Sequence, residues 1–147
     1  MSILFTDTMT VYNFFRDSAS EKEIWNRTVV EGVQWSHEKI EISTLNGVQT
    51  EKKVESITID FQKDYGNKPY LPPNEYRKLS AEESVNYWTL DAKSGQDMLV
   101  LGVSENDISR DYRLSELQND YQYVNTVCVV SDNRNRPRLK HIKVIGE

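Results

Sequence analysis

Hydrophobic and polar positions alternate with a period of two through much of the chain, a pattern typical of half-buried β-strands. Residues 8–16 are rich in β-branched and aromatic side chains and predict a first strand. A second alternation begins at Trp25, is interrupted at Gly32 and resumes at Val33 and Trp35. It predicts a long second strand with a bulge near Gly32, and both tryptophans are candidate core residues.

The dipeptide Asn46-Gly47 is the strongest turn signal in the chain, because both residues tolerate the positive φ of a tight hairpin. The predicted arms of this hairpin, residues 39–45 and 48–54, are charged and weakly apolar. They have little apolar surface to bury. We therefore expect the hairpin to be mobile in the monomer and ordered by partners.

The middle of the chain predicts one strand, one loop and one short helix. Residues 57–61 alternate as a half-buried strand, and residues 64–74 contain prolines and a glycine that break regular structure. Ser80 and Glu83 have the spacing of a capping box, in which each residue satisfies backbone N–H groups of the other. A short helix is therefore expected from Ser80 to about Tyr87.

The remaining residues predict a β-rich C-terminal part. Residues 97–102 have the composition of a strand, and residues 104–121 contain leucines at helical spacing. Two further strands, 121–131 and 138–145, are joined by a six-residue polar loop as a terminal hairpin. The pattern predicts a mainly β protein. We expect one domain over residues 1–147, a small β-barrel or sandwich of six to seven strands with one or two short helices and a long polar loop.

Composition supports a folded chain. The 147 residues are 37% hydrophobic and 28% charged, with three Trp, eight Tyr and four Phe as bulky anchors. The apolar runs are far shorter than the ~20 residues needed to cross a bilayer, so no membrane partner is expected. The N-terminus has no basic segment of the kind that begins a secretory signal, which predicts synthesis in a cytoplasm. The single cysteine, Cys128, is expected to be a buried thiol among valines.

No pattern in the chain predicts catalysis or metal binding. His37 and His141 lie 104 positions apart, and neither has a second histidine or cysteine at ligand spacing. The chain has no Gly-x-Ser-x-Gly element, no phosphate-binding glycine loop and no His-Glu-x-x-His motif. The acidic pair Glu82-Glu83 is explained by the capping box and the helix dipole. We expect no enzyme activity and no cofactor.

The charge of the chain is unevenly distributed. Eighteen basic and 23 acidic residues give a net charge of -5, which disfavours sequence-specific DNA binding. Residues 132–147 nevertheless have a local net charge of +3, so the other 131 residues carry -8. Arg136, Arg138 and Lys140 share one face of an extended segment, which fits an acidic partner surface or a DNA backbone. The alternative is a solvated edge strand whose charges prevent aggregation.

Six stretches have an order and spacing that point to a family. They are residues 5–13 (FTDTMTVYN), 25–35 (WNRTVVEGVQW), 93–95 (KSG), 97–102 (DMLVLG), and the closing pair 130–134 (VSDNR) and 137–144 (PRLKHIKV). Together they resemble small proteins encoded in the head and tail gene block of tailed phages and prophages of Gram-positive bacteria. The family typically ends near an aromatic residue after the histidine, where this chain has Ile142.

The resemblance implies a structural virion protein that forms a head-closure or stopper ring at the head–tail interface. Such small β-barrels form homo-oligomeric rings, here expected to be six- or twelve-fold, between the portal or adaptor ring and a tail-completion or tail-terminator protein. They lie close to packaged DNA and help to retain it. The resemblance implies no enzyme activity and no cofactor, and it implies location in the virion after synthesis in the host bacterial cytoplasm.

Two groups of residues are candidate contacts under this hypothesis. The basic hairpin is expected to dock on a neighbouring ring, and the polar hairpin is expected to reach the DNA channel or a neighbour. The partner-contact candidates are Arg134, Arg136, Arg138 and Lys140, and the channel or neighbour loop candidates are Asn46, Gly47, Thr50, Glu51 and Lys52. The alternative function is a non-catalytic β-sandwich binding module at a tail tip or on carbohydrate, with Trp88 beside Tyr87 as a stacking platform.

Overall fold

The computed structural model describes residues 7–16, 23–43, 49–60, 68–93, 96–108, 113–121, 123–132 and 141–146, with the backbone alone for 38–43, 49–53, Asp60 and His141. Within these residues it has six strands and three short helices. The strands are β1 (Asp7–Arg16), β2 (Glu23–Ser43), β3 (Gln49–Asp60), β4 (Met98–Leu101), β5 (Val124–Asp132) and β6 (His141–Gly146). The helices are α1 (Pro73–Tyr76), α2 (Ala81–Ser84) and α3 (Leu114–Asp120).

The six strands form a closed antiparallel barrel in the order β1-β2-β3-β6-β5-β4. Strand β1 pairs with β2 on one side and with the short strand β4 on the other, which closes the sheet. The two predicted hairpins are present as the β2–β3 and β5–β6 pairs. The prediction of a mainly β fold with a small barrel is therefore confirmed.

A bulge at Gly32 reverses the direction of the side chains along β2. The register with β1 shifts between Asp7 and Thr8, so Val33 lies opposite Asp7 while Glu31 lies opposite Thr8, and Gly32 has a φ of 76°. This is the predicted bulge, and it needs glycine because the backbone is left-handed there. Before the bulge the even-numbered residues of β2 are the buried ones, and after it the odd-numbered residues are buried.

The two tryptophans of β2 are separated by this reversal. Trp35 follows the bulge and joins the barrel core, where it is 7% exposed. Trp25 precedes it and is half-buried on the outside of the sheet, with its ring 5.2 Å from that of Phe14. The expectation of a core position thus holds for Trp35 and is wrong for Trp25, because one extra residue in the strand exchanges the two faces.

The barrel core is built from alternate residues of the strands and from two residues of the connection between β3 and β4. Ile57 and Ile59 are fully buried in it, as the strand pattern predicted. The core comprises Met9, Val11, Val30, Val33, Trp35, Ile57, Ile59, Trp88, Leu90, Leu99, Val127, Ile142 and Val144. Burial of a large apolar side chain of this kind contributes about 1.5–3 kcal/mol, so this cluster is the main source of stability.

A second apolar cluster lies on the outer face of β1 and β4. Tyr12, Met98 and Val100 are covered there by Leu117 of α3, the helix that the leucine spacing at 104–121 predicted. The connection that leads to α3 is held against β1 by Tyr12, whose hydroxyl lies 2.6 Å from Ser104 Oγ and donates to the Asn106 carbonyl oxygen at 2.5 Å. Helix α3 is short, and its position depends on this packing.

Three local expectations are corrected in detail. The Ser80 hydroxyl accepts a hydrogen bond from the Glu83 N–H at 3.2 Å, as in a capping box, but the Glu83 carboxylate accepts from that same hydroxyl at 3.1 Å instead of reaching the backbone. The helix ends at Ser84, three residues earlier than expected. Cys128 is half-buried, because a register shift between Val127 and Val129 displaces it from the ladder with β6.

Candidate functional site

Strands β2 and β3 continue together beyond the end of the barrel. The pairing of β1 with β2 reaches Val33, and the pairing of β6 with β3 reaches Glu55. Beyond them, six register pairs from Glu38↔Val54 to Ser43↔Gln49 join β2 and β3 only to each other, within the part of the chain that the structure describes. We call residues 38–43 with 49–54 the ribbon. Six residues of strand correspond to about 20 Å.

Three of the candidate loop residues belong to this ribbon. Thr50, Glu51 and Lys52 lie in β3 at register positions opposite Ile42, Glu41 and Ile40. The arms therefore pair as the sequence predicted. Asn46 and Gly47 lie outside the described residues, and so do Arg134, Arg136, Arg138 and Lys140 of the basic hairpin. The pairing of β5 with β6 brings the two ends of that basic segment together, with Asp132 opposite Ile142.

A polar cluster around Glu55 ties the base of the ribbon to the barrel. The Glu55 carboxylate accepts a hydrogen bond from Trp35 Nε1 at 3.0 Å and another from the side-chain amide of Asn125. Its Oε1 lies 2.8 Å from His37 Nδ1, and the His37 ring is 4.5 Å from the ring of Tyr123. The carboxylate is 12% exposed, so these contacts replace most of its hydration.

The Glu55 cluster holds β2, β3 and β5 together where the ribbon leaves the barrel. His37 and Glu55 are cross-strand neighbours, and Asn125 comes from β5, which is separated from β3 by β6. Sequence reasoning did not find the cluster. The sequence signal for this cluster is Glu55, an acidic residue on the same face of β3 as the buried Ile57 and Ile59. Among the described residues, no group of three or more His, Cys, Asp or Glu side chains is arranged to hold a metal ion.

The opposite end of the barrel is closed by residues 68–93, a segment we call the cap. Trp88 is fully buried in the barrel core, and Tyr70 packs on it with ring centroids 4.9 Å apart. Asn26 of β2 fastens the cap by donating through Nδ2 to the Tyr76 hydroxyl at 2.6 Å and to Ser84 Oγ at 3.0 Å. Burial raises the pKa of Tyr76 to about 12. The expectation of Trp88 as an exposed stacking platform is therefore wrong, because the ring fills the barrel end.

A buried carboxylate connects the cap to the strands. Asp97, which is 1% exposed, accepts hydrogen bonds from the Phe14 N–H at 2.9 Å, from Asn13 Nδ2 at 3.0 Å and from the Asp91 N–H at 2.9 Å. Asn13 also donates to the Thr89 carbonyl oxygen at 2.6 Å and accepts from the Thr89 N–H. Burial raises the pKa of Asp97 to about 7, although its three N–H donors act in the opposite direction. No spacing in the sequence indicates this network, since its members lie up to 84 positions apart.

A cleft with a volume of about 420 Å³ lies between the cap and β5. Arg77 and Asp91 form an ion pair on its wall, with Nε 3.2 Å from Oδ2, and the Lys93 N–H donates to Asp91 Oδ1 at 3.0 Å. Leu90 and Val130 are among the apolar residues of the lining. The arrangement combines an arginine held in place by a buried acid with an adjacent apolar surface.

Comparison with known proteins identifies a family. The chain belongs to DUF6751, a family of unknown function, which it matches over residues 4–147. Searches of curated proteins and of solved structures found no match. None of the described helices is long and apolar enough to cross a membrane.

Proposed function

We propose that this member of DUF6751 is a structural subunit of a tailed-phage virion, which forms a head-closure or stopper ring between the portal or adaptor and the tail. The observation that carries the proposal is the ribbon, a two-stranded arm that extends beyond a closed barrel. The proposal is also supported by the sequence, in which the opening strand, the tryptophan-containing strand and the closing hairpin follow in the order that resembles the phage family. The subunit acts by contact and has no catalytic role in this proposal.

The register of the ribbon favours an assembly role. Within the described residues its two strands pair only with each other and leave one edge each beyond the barrel, and free strand edges are readily covered by another chain. Lys39 occupies the register position opposite Lys53, and Glu41 the position opposite Glu51. Like charges at opposite positions destabilise an isolated ribbon by a few tenths of a kcal/mol per pair. A partner that covers the ribbon compensates for this cost.

A shortened ribbon tests the proposal. Deletion of residues 40–43 and 49–52 removes four matched register pairs and is designed to leave Lys39 opposite Lys53, with the sequence of residues 44–48 unchanged. Because four is an even number, the remaining residues keep their faces. We expect the barrel to fold and heads and tails to remain separate when the variant replaces the wild-type gene in the phage. The wild-type gene supplied in trans is the control and restores joined particles.

Electron microscopy of the virion supplies the second measurement. We expect the chain to be traced as a ring at the head–tail junction. A normal yield of joined, infectious particles with the shortened ribbon contradicts the assembly role of the ribbon. Density for the chain at the tail tip instead favours the alternative binding module.

A further inference from the structure

The cleft between the cap and β5 has the features of a ligand site and lies away from the ribbon. The ribbon leaves the barrel beside Glu55 and Gly146, whereas the cleft lies beside Val130 and Asp132, at the other end of the β5–β6 ladder. Its volume of about 420 Å³ falls within the usual range for ligand pockets, ~300–1,000 Å³. All ten lining residues belong to the cap or to β5.

Arg77 is positioned to bind an anionic group. Its side chain is 55% exposed, while the Asp91 side chain that pairs with its Nε is 9% exposed. A guanidinium has four further N–H donors on its two terminal nitrogens, in a planar fork that matches a carboxylate. Lys93, whose backbone N–H is bound to the same Asp91, adds a second cation to the lining. The acidic residue Asp132 also lines the cleft, and it already takes part in a hydrogen bond or electrostatic interaction with another group.

The rest of the lining is largely apolar, so a ligand of this cleft should have an apolar part next to its anionic group. Leu90 is buried at the inner wall, and Val130, Ala92 and Tyr70 are partly buried and pack against the barrel core. Pro73 and Asn74 complete the rim. A ligand that uses both parts of this cleft has a carboxylate and an apolar side chain close together.

We propose that the cleft binds the C-terminal residue of a partner polypeptide, with its carboxylate on Arg77 and Lys93 and an apolar side chain against Leu90 and Val130. A C-terminal residue has both groups on one Cα, so a single residue can contact both parts of the cleft. An internal Asp or Glu places the carboxylate and an apolar side chain on different residues. Of the two kinds of carboxylate on a polypeptide, the cleft therefore favours the chain end, and the proposal does not depend on the ring function.

Titration with short peptides, followed by NMR, tests this site. The probe is N-acetyl-Ala-Leu with a free carboxylate, compared with its C-terminal amide and with N-acetyl-Glu-Leu-amide. We expect the free acid to shift the methyl resonances of Leu90 and Val130 and the Nε–Hε resonance of Arg77. We expect the amide to bind at least about tenfold more weakly, a difference of about 1.4 kcal/mol.

Two substitutions and a matched control assign the contact. Arg77→Gln is expected to weaken binding of the free acid by at least about tenfold, and Lys93→Gln by a smaller factor. Arg113→Gln removes an exposed arginine that does not line the cleft and is expected to leave binding unchanged. Thermal unfolding of each variant shows whether its loss of binding is loss of fold. Lys93→Gln leaves the Arg77–Asp91 ion pair in place and is expected to keep the wild-type midpoint.

Three results overturn the proposal. Equal affinity for the acid and its amide excludes carboxylate recognition. Equal affinity for N-acetyl-Glu-Leu-amide and the free acid excludes selection of a chain end. The site is excluded if the resonances of Leu90, Val130 and Arg77 do not shift at peptide concentrations up to about 10 mM. A Kd above that concentration corresponds to a binding free energy weaker than about -3 kcal/mol. None of these results bears on the ribbon.

Discussion

Replacement of Asp97 by asparagine is expected to change how the stability of the protein depends on pH. Asparagine has the same shape but does not titrate, whereas burial raises the pKa of the Asp97 carboxyl from its ordinary value of 3.8 to about 7 in the folded protein. A carboxyl whose pKa is higher in the folded state stabilises most below the unfolded pKa. That contribution is lost as the pH rises through the folded pKa.

The size of the effect follows from the shift. Each pKa unit corresponds to about 1.4 kcal/mol, so between pH 5 and pH 8 the free energy of unfolding of the wild type falls by about 2.5 kcal/mol through this group. The variant does not show this fall. Its carboxamide also turns an NH₂ group toward one of the three N–H donors around Asp97. We expect a further loss of about 1–3 kcal/mol that does not change with pH.

Urea unfolding of both proteins at pH 5, 6, 7 and 8 measures the two effects. Asp107→Asn is the matched control, because that side chain is 74% exposed and its removal is expected to leave the pH profile parallel to the wild type. A difference between wild type and the Asp97 variant that stays constant from pH 5 to pH 8 refutes the reasoning. It would mean that Asp97 remains ionised throughout this range.

Four further outcomes are expected. Trp35→Ala should lower the free energy of unfolding by about 3–5 kcal/mol and Trp25→Ala by less, because only Trp35 lies in the barrel core. Equal losses for the two variants in urea unfolding would contradict this. Gly146→Ala should destabilise by about 1–3 kcal/mol, because its Cβ would lie 2.9 Å from Asn125 Cβ and 3.2 Å from the Thr126 carbonyl oxygen, and an unchanged thermal midpoint would argue against the close packing. Amide hydrogen exchange should be faster at residues 40–43 and 49–52 than at 57–59 in the free protein, and strong protection of the ribbon would mean that it needs no partner. Arg136→Glu with Arg138→Glu should leave the fold intact and block attachment of tails to heads, whereas normal particles from the double variant would identify the basic hairpin as a solvated edge.

Much of the barrel is determined locally by the sequence. The composition of residues 8–16 and the period of two over residues 57–61 are each enough to predict a strand. For residues 57–61 the period also predicts the buried face, since alternate residues of a strand point to opposite sides, whereas β1 is buried on both faces. Gly32 marks the bulge for a similarly local reason, because a left-handed backbone strongly favours glycine. The ribbon follows from Asn46-Gly47 and its polar arms, which predict pairing without apolar burial.

The neighbours of each element were decided by the tertiary structure. Alternation identifies which residues share a face but not which strand lies alongside, so the closure of β1 onto β4 depends on registers set across the barrel. The outer position of Trp25 follows from the register shift between β1 and β2 at the bulge. The same holds for Asp97 and Glu55. A buried carboxylate requires hydrogen-bond donors, and the donors of these two residues lie up to 84 positions away in the sequence. No local sequence pattern indicates such distant partners. The cleft likewise exists because the cap folds over a barrel end that Trp88 fills.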